Sequence, residues 1–109
     1  MAKTLNFSFE GKDYTLEYTR NSVQTMENTG FRADDLFSMP MTMLPRLFRG
    51  AFLAHHKNTK LKDIDRMFDS MTNRGELIAK LVEMYREPLT TITEDPEDNE
   101  GNVSWTASF

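Results

Sequence analysis

The chain has 109 residues, of which 28% are charged, with a formal net charge of −4 and no cysteine. This length is enough for one compact domain, and the lack of thiols excludes disulfides, thiolate zinc sites and cysteine nucleophiles. No apolar run approaches the ~18 residues that span a bilayer, and the N-terminal residues lack the apolar stretch of a signal peptide. We therefore expect a cytoplasmic protein without a membrane partner.

The negative charge is concentrated near the C-terminus, where five of the seven residues 94–100 are acidic and none is basic. The rest of the chain is close to neutral. A protein that binds the phosphate backbone of nucleic acids normally carries a basic surface. The charge distribution therefore argues against nucleic acid as the partner.

The first predicted element is a β-hairpin. Apolar and polar residues alternate over residues 5–9 and again over 14–18, which is the period of a strand with one buried face. Gly11-Lys12 lies between the two runs, and glycine tolerates the positive φ of a tight turn. The expected register places six large side chains on one face, which helices must cover: Leu5, Phe7, Phe9, Tyr14, Leu16 and Tyr18.

A short helix should follow the hairpin. Asn21 and Gln24 have the spacing of a capping box, and Gly30 suits a left-handed helix stop. Another helical turn is predicted over residues 33–38, because two aspartates favour a helix N-terminus and Pro40 blocks continuation.

The strongest helix signal starts near Thr42 and runs to about Lys57, with Pro45 tolerated in the first turn. Gly50 weakens this helix by roughly 1 kcal/mol relative to alanine, a cost that a closely packed neighbouring backbone would offset. The apolar residues recur at i, i+3, i+4 spacing and form one stripe: Leu44, Leu47, Phe48, Ala51, Phe52 and His55.

Two more helices are predicted by the same periodicity. The first spans residues 64–71, and the second spans 77–85 with Pro88 as its stop. Glu76 and Lys80 form a favourable i, i+4 pair on the second helix.

Beyond Ile92 the composition changes to acidic and polar residues that cannot offset the entropy of ordering. The sequence therefore predicts an α+β fold in which an N-terminal β-hairpin packs against four to five α-helices. Residues 1–92 form the compact domain, and residues 93–109 form a disordered acidic tail with terminal aromatic residues.

Chemical motifs are scarce. His55 and His56 are the only histidines, and neighbouring helical positions point about 100° apart, so they cannot easily share a metal ion. No nucleophile elbow, phosphate-binding loop or dinucleotide fingerprint is present. We expect no enzymatic activity, no catalytic or metal site and no cofactor.

The candidate binding residues are apolar. Eight methionines are many for this length, and three of them precede the strongest helix. Methionine adapts to varied apolar partners, but it also fills gaps in small cores, and the phenylalanines of the stripe suit a core as well as a docking surface. The predicted docking surface comprises Met39, Met41, Met43, Leu47, Phe48 and Phe52, with Trp105 and Phe109 as a second, tethered contact.

Three stretches carry a family resemblance: GKDYTLEYTR at 11–20, PMTMLPRLFRGAFLAHH at 40–56 and EGNVSWT at 100–106. Together they resemble tail assembly chaperones encoded by long-tailed phages and prophages of Gram-positive bacteria. The matching residues are packing and turn residues, and they include no catalytic fingerprint.

The resemblance implies a protein of the host cytoplasm that binds the tape-measure protein, keeps it soluble and helps recruit tail-tube subunits. It also implies absence from the finished virion. The tail would engage the tube protein or a neighbouring copy, and the oligomeric state stays open. Two alternatives remain: a regulatory or nucleic-acid-binding module with a helix-turn-helix across the last two helices, and a structural head–tail connector.

Overall fold

The computed structural model describes residues 3–94 and 103–108. Within them, an antiparallel hairpin precedes four α-helices, so the predicted α+β class is confirmed. The elements are β1 (Leu5–Phe9), β2 (Lys12–Leu16), α1 (Arg20–Asn28), a 3-10 turn (Ala33–Asp35), α2 (Pro40–Gly50), α3 (Leu61–Ser70) and α4 (Arg74–Thr91).

The hairpin turn lies one residue earlier than predicted. Glu10 and Gly11 occupy it with φ of 52° and 80°, and Lys12 already belongs to β2, opposite Phe9. Positive φ at both central residues is the conformation of the two-residue turns that match strand twist. The prediction of Gly11-Lys12 was wrong because it assigned positive φ to glycine alone.

The predicted apolar face of the hairpin is confirmed, but its two strands are covered unequally. Tyr14 and Leu16 of β2 are buried, and so is Tyr18 just beyond it. Their counterparts on β1 are only partly buried, although they pack against the same core. The helices therefore cover the β2 side of the face more completely than the β1 side.

Helix α1 begins with a capping box different from the predicted one. The Thr19 hydroxyl accepts from the Ser22 N–H at 3.1 Å, and the Ser22 hydroxyl accepts from the Thr19 N–H at 2.8 Å. Asn21 and Gln24 lie inside the helix instead. Gly30 has φ of 98°, which confirms it as the left-handed residue after the helix.

Helix α2 starts two residues before Thr42, because Pro40 takes the first helical position, where a missing N–H costs nothing. Pro45 therefore lies inside the helix and not in its first turn as predicted. The helix also ends at Gly50, well before Lys57. Residues 51–53 continue as tight turns, in which each N–H donates to the carbonyl three residues earlier.

Helices α3 and α4 match the predicted periodicity. The i, i+4 pair on α4 is confirmed, with 3.9 Å between Lys80 Nζ and Glu76 Oε1. Pro88 was predicted to stop the helix, but it is buried inside α4, which continues to Thr91. None of the described helices combines the length and apolarity needed to cross a bilayer.

One hydrophobic core connects all these elements, and α2 supplies its centre. The rings of Phe48 and Phe52 lie 5.2 Å apart, and Phe52 reaches the hairpin with 5.8 Å between its ring and that of Tyr14. The residues of the predicted stripe that are fully buried are Leu47, Phe48, Ala51 and Phe52.

Hydrogen bonds attach the hairpin to the C-terminal end of α2. The Tyr18 phenol donates to the Leu47 carbonyl at 2.6 Å, and the Glu17 N–H donates to the Ala51 carbonyl at 3.1 Å. The last carbonyls of a helix lack intrahelical partners. Here the hairpin provides those partners, so the end of α2 is capped by tertiary contacts.

Gly50 allows α1 to pack tightly against α2. The side chain of Met26 fills the space that a β-carbon at position 50 would occupy. Met26 is itself buried, with only 3% of its surface exposed. The expected close contact at Gly50 is thus made by a side chain, and not by a neighbouring backbone.

We predict that Gly50→Ala lowers the free energy of unfolding by about 1–3 kcal/mol, because the clash with Met26 exceeds the gain in helix propensity. Gly75→Ala is the matched control, since a β-carbon there meets nothing within 4 Å. It should stabilise the protein by up to about 1 kcal/mol. Urea unfolding measures both, and a Gly50→Ala protein as stable as the parent would contradict the packing argument.

We also predict that Tyr18→Phe destabilises the protein by about 1–2 kcal/mol, because the buried Leu47 carbonyl loses its donor. Tyr14→Phe serves as the comparison. Tyr14 is also buried, but its phenol makes no hydrogen bond within the described residues. Equal losses for the two variants, measured by thermal or urea unfolding, would show that the cap contributes nothing.

Candidate protein-binding surface

The structure divides the predicted docking residues into two groups. Met43, Leu47, Phe48 and Phe52 are buried in the core. A partner could reach them only by opening the fold, so the docking surface has to be redrawn without these four side chains. Their burial agrees with the core interpretation of the apolar stripe.

The second group is exposed and lies just before and at the start of α2. Met39 is 50% exposed and Met41 is 90% exposed, and Phe37, which was not among the predicted docking residues, is 75% exposed. We call residues 37–41 the apolar segment. Three large apolar side chains within five residues are more than the scattered exposure expected of an ordinary surface.

Backbone hydrogen bonds hold the apolar segment in place. The Met39 N–H donates to the Asp35 carbonyl at 2.8 Å, and the Met39 carbonyl accepts from the Met43 N–H at 2.9 Å. Leu36, directly before the segment, is buried in the core. The segment is thus anchored at Met39, its middle residue, and by the buried Leu36 before it, while its apolar side chains face solvent.

Phe37 was missed because composition does not show which of two adjacent apolar residues points inward. Leu36 and Phe37 lie on a turn, where successive side chains diverge, so only one of them can enter the core. A signal was available in the sequence. The predicted turn over residues 33–38 left room for one buried side chain, and the other had to be exposed.

The tail aromatics can be placed only in part. Trp105 is 82% exposed, and residues 103–108 form neither helix nor strand. Phe109 lies outside the described residues, as do residues 95–102, which contain most of the acidic run. The domain boundary at residue 92 and the disorder of the tail stay predictions.

An open cleft of about 1170 Å³ lies between the hairpin, the start of α1 and residues 53–60. Both histidines line it, but each already has a partner. His55 Nε2 lies 2.7 Å from Glu17 Oε1, and His56 Nε2 accepts from the Thr15 N–H at 3.0 Å. The two histidines therefore fasten the segment after α2 to β2.

The environment of His56 favours its neutral form. Burial lowers the pKa of His56 from its ordinary value of 6.5, and the neighbouring His55 and Lys12 lower this pKa further. A neutral ring can accept the hydrogen bond from Thr15, whereas a doubly protonated ring cannot. This arrangement explains the histidine without a catalytic role.

Within the part of the chain that the structure describes, no group of three His, Cys, Asp or Glu side chains is placed to hold a metal ion. The charged residues that line the cleft include the basic Lys12, Lys57 and Lys60 and the acidic Asp63. The expectation that the protein is not an enzyme stays a prediction.

Comparison with known proteins identifies a family but no described relative. A family model whose description reads "Domain of unknown function (DUF5055)" matches residues 1–109. No curated protein and no solved structure matches the chain.

We predict that the protein loses stability as the pH falls below about 6.5, because the unfolded chain binds a proton at residue 56 more readily than the folded chain. The contribution of neutral His56 to the free energy of unfolding is fully present above the ordinary histidine pKa. It is lost as the pH falls through the lowered pKa of His56 in the folded state. Urea unfolding at a series of pH values measures this effect.

His56→Gln should flatten the acid side of that profile, because its amide oxygen can accept from the Thr15 N–H without titrating. His55→Gln, which keeps His56 and the burial that is the largest cause of its lowered pKa, is the control and should retain most of the fall. Parallel profiles for the parent and His56→Gln proteins would exclude His56 as the cause.

Proposed function

The chain belongs to the family described as domain of unknown function DUF5055, and we propose that it serves as a phage tail assembly chaperone. In this role it binds the tape-measure protein, keeps it soluble and helps to recruit tail-tube subunits. The proposal combines the resemblance carried by residues 11–20, 40–56 and 100–106 with the exposed apolar segment.

The observation that carries the proposal is the exposure of Phe37, Met39 and Met41 on a hydrogen-bonded backbone. Leaving large apolar side chains in water forgoes the burial that stabilises a small domain. A surface of this kind is typical of sites that bind another polypeptide. Its backbone is already ordered, so binding costs less conformational entropy than it would for a free loop.

The chemistry of the segment suits an amphipathic helix. Methionine side chains are flexible and polarizable, so two of them beside a phenylalanine adapt to varied apolar faces. A tape-measure protein is long and helical and exposes such faces along its length before assembly. Recognition of one helical face through apolar anchors is a recurring mode of peptide binding.

The tail supplies a second contact in this proposal. Trp105 is exposed and tethered to the domain through the acidic run, and it would engage the tube protein or a neighbouring copy. Tryptophan is enriched among residues that dominate binding energy, because it buries a large area with few rotatable bonds. The protein would act in the host cytoplasm and leave before the virion is complete.

Co-expression with the tape-measure protein of the same phage tests the proposal. The parent chain should raise the soluble recovery of that protein and co-purify with it. The Phe37→Ser, Met41→Ser double variant should bind at least about tenfold more weakly, because two apolar anchors are lost.

Leu61→Ser is the matched control, since Leu61 is 60% exposed but lies on α3, away from the apolar segment in sequence. It should bind as the parent does. Equal binding by the double variant and the parent would remove the apolar segment from the proposal. A salt-dependent shift of DNA would favour the regulatory alternative, and the presence of the chain in purified virions would favour the connector.

A further inference from the structure

The two edges of the hairpin differ in how their main-chain groups are satisfied. On β2, the Thr15 N–H points away from β1 and donates to His56 Nε2. In an antiparallel pair, opposite residues direct their groups either both inward or both outward. Asn6 is the partner of Thr15, and Ser8 lies two residues further along β1, so both direct their N–H and C=O groups to the outer edge.

That outer edge of β1 is open in the described part of the chain. The backbone groups of Asn6 and Ser8 have no hydrogen-bond partner there, and both residues are exposed. Their side chains bond across the hairpin instead, Asn6 with Thr15 and Ser8 with Asp13. An open edge with free N–H and C=O groups is a template for one more strand.

The side chains next to this edge indicate that an added strand would carry apolar residues on one face. Leu5, Phe7 and Phe9 are only partly buried, while Tyr14 and Leu16 on the paired strand are buried. A strand beside β1 that placed apolar residues on the same face would pack against these partly buried side chains.

A segment with the required pattern lies in the same chain. Apolar Val103, Trp105 and Ala107 alternate with Ser104, Thr106 and Ser108. This alternation matches β1, where Leu5, Phe7 and Phe9 alternate with Asn6 and Ser8. Val103 and Trp105 are 88% and 82% exposed, so their apolar surface is free to be buried.

The connection is long enough for the segment to reach β1. The start of the hairpin lies beside α4, with 3.8 Å between Lys3 Nζ and Glu83 Oε1. From Glu83, α4 extends only ~12 Å further to Thr91 at 1.5 Å per residue. Residues 95–102 can span up to ~30 Å when extended, which is enough to return along the helix.

We propose that residues 103–108 add to the outer edge of β1 as a third strand within the same chain. The added strand would pair with the outward groups of Asn6 and Ser8 and lay Trp105 over the partly buried face of β1. A short tether favours the intramolecular contact because it raises the effective concentration of the segment to about millimolar. A partner that binds Trp105 has to compete with this contact, whatever that partner is.

Engineered disulfides test the contact, because the chain has no cysteine of its own. Ser8→Cys is combined in turn with Ser104→Cys, Thr106→Cys and Ser108→Cys, which share the polar face of the proposed sheet. At least one pair should form a disulfide within one chain, seen as a faster-migrating monomer on non-reducing gels. The controls replace Ser8→Cys by Asp13→Cys, one strand further from the tail, where ~9.6 Å between strands prevents a bridge.

Trp105 is the only tryptophan, so its fluorescence gives a second readout. Ser8→Pro removes the outward N–H and blocks strand addition, whereas Ser8→Ala keeps it, and both lose the hydroxyl contact with Asp13. Emission should shift to longer wavelength in Ser8→Pro but not in Ser8→Ala.

Three results would overturn the proposal: cross-linked dimers in place of bridged monomers, bridging no greater than in the Asp13 controls, or identical emission from Ser8→Pro and the parent. If Ser8→Pro does not fold, the disulfide pairs alone decide. The apolar segment takes no part in either experiment, so failure here leaves the proposed function untouched.

Discussion

The attachment of β2 to the end of α2 is the interaction on which the rest of this structure depends. A two-stranded hairpin is marginal in water, and a helix end leaves unsatisfied carbonyls. Groups of the hairpin donate to the carbonyls of Leu47 and Ala51. In the opposite direction, His56 in the segment after α2 accepts a hydrogen bond from the Thr15 N–H. The hairpin and the end of α2 thus satisfy each other's polar backbone groups, and their apolar side chains pack in the core between them.

This attachment explains why the hairpin is asymmetric. Because β2 lies against the end of α2, its inward residues Tyr14 and Leu16 are buried and its outward Thr15 N–H is bonded to His56. β1 is the strand further from the helices, so it keeps partly exposed apolar residues and an open edge. The apolar segment and β1 are therefore two separate surfaces with different chemistry. The first offers side chains to a partner helix, and the second offers backbone groups to a strand.

The candidate binding site was only partly predictable from sequence. Periodicity located the stripe that contains Phe48 and Phe52, and the stripe proved to be core. The cluster of methionines drew attention to the correct stretch, because Met39 and Met41 are exposed. Exposure itself could not be predicted, since an amphipathic pattern shows which residues share a face but not whether another element covers that face. The predicted turn indicated that one of Leu36 and Phe37 would be exposed, but only the structure showed that it is Phe37.

Local chemistry in the sequence determined the fold class, the hairpin, the positions of the helices and the left-handed Gly30, because periodicity and φ preference act over a few residues. Tertiary structure decided where the helices end. α2 ends at Gly50, where Tyr18 and Glu17 donate to the carbonyls of Leu47 and Ala51, and Pro88 is buried inside α4. It also decided the roles of the histidines, whose partners lie 38 and 41 residues away in the chain. Such contacts depend on the packing of distant segments, and no local pattern encodes them.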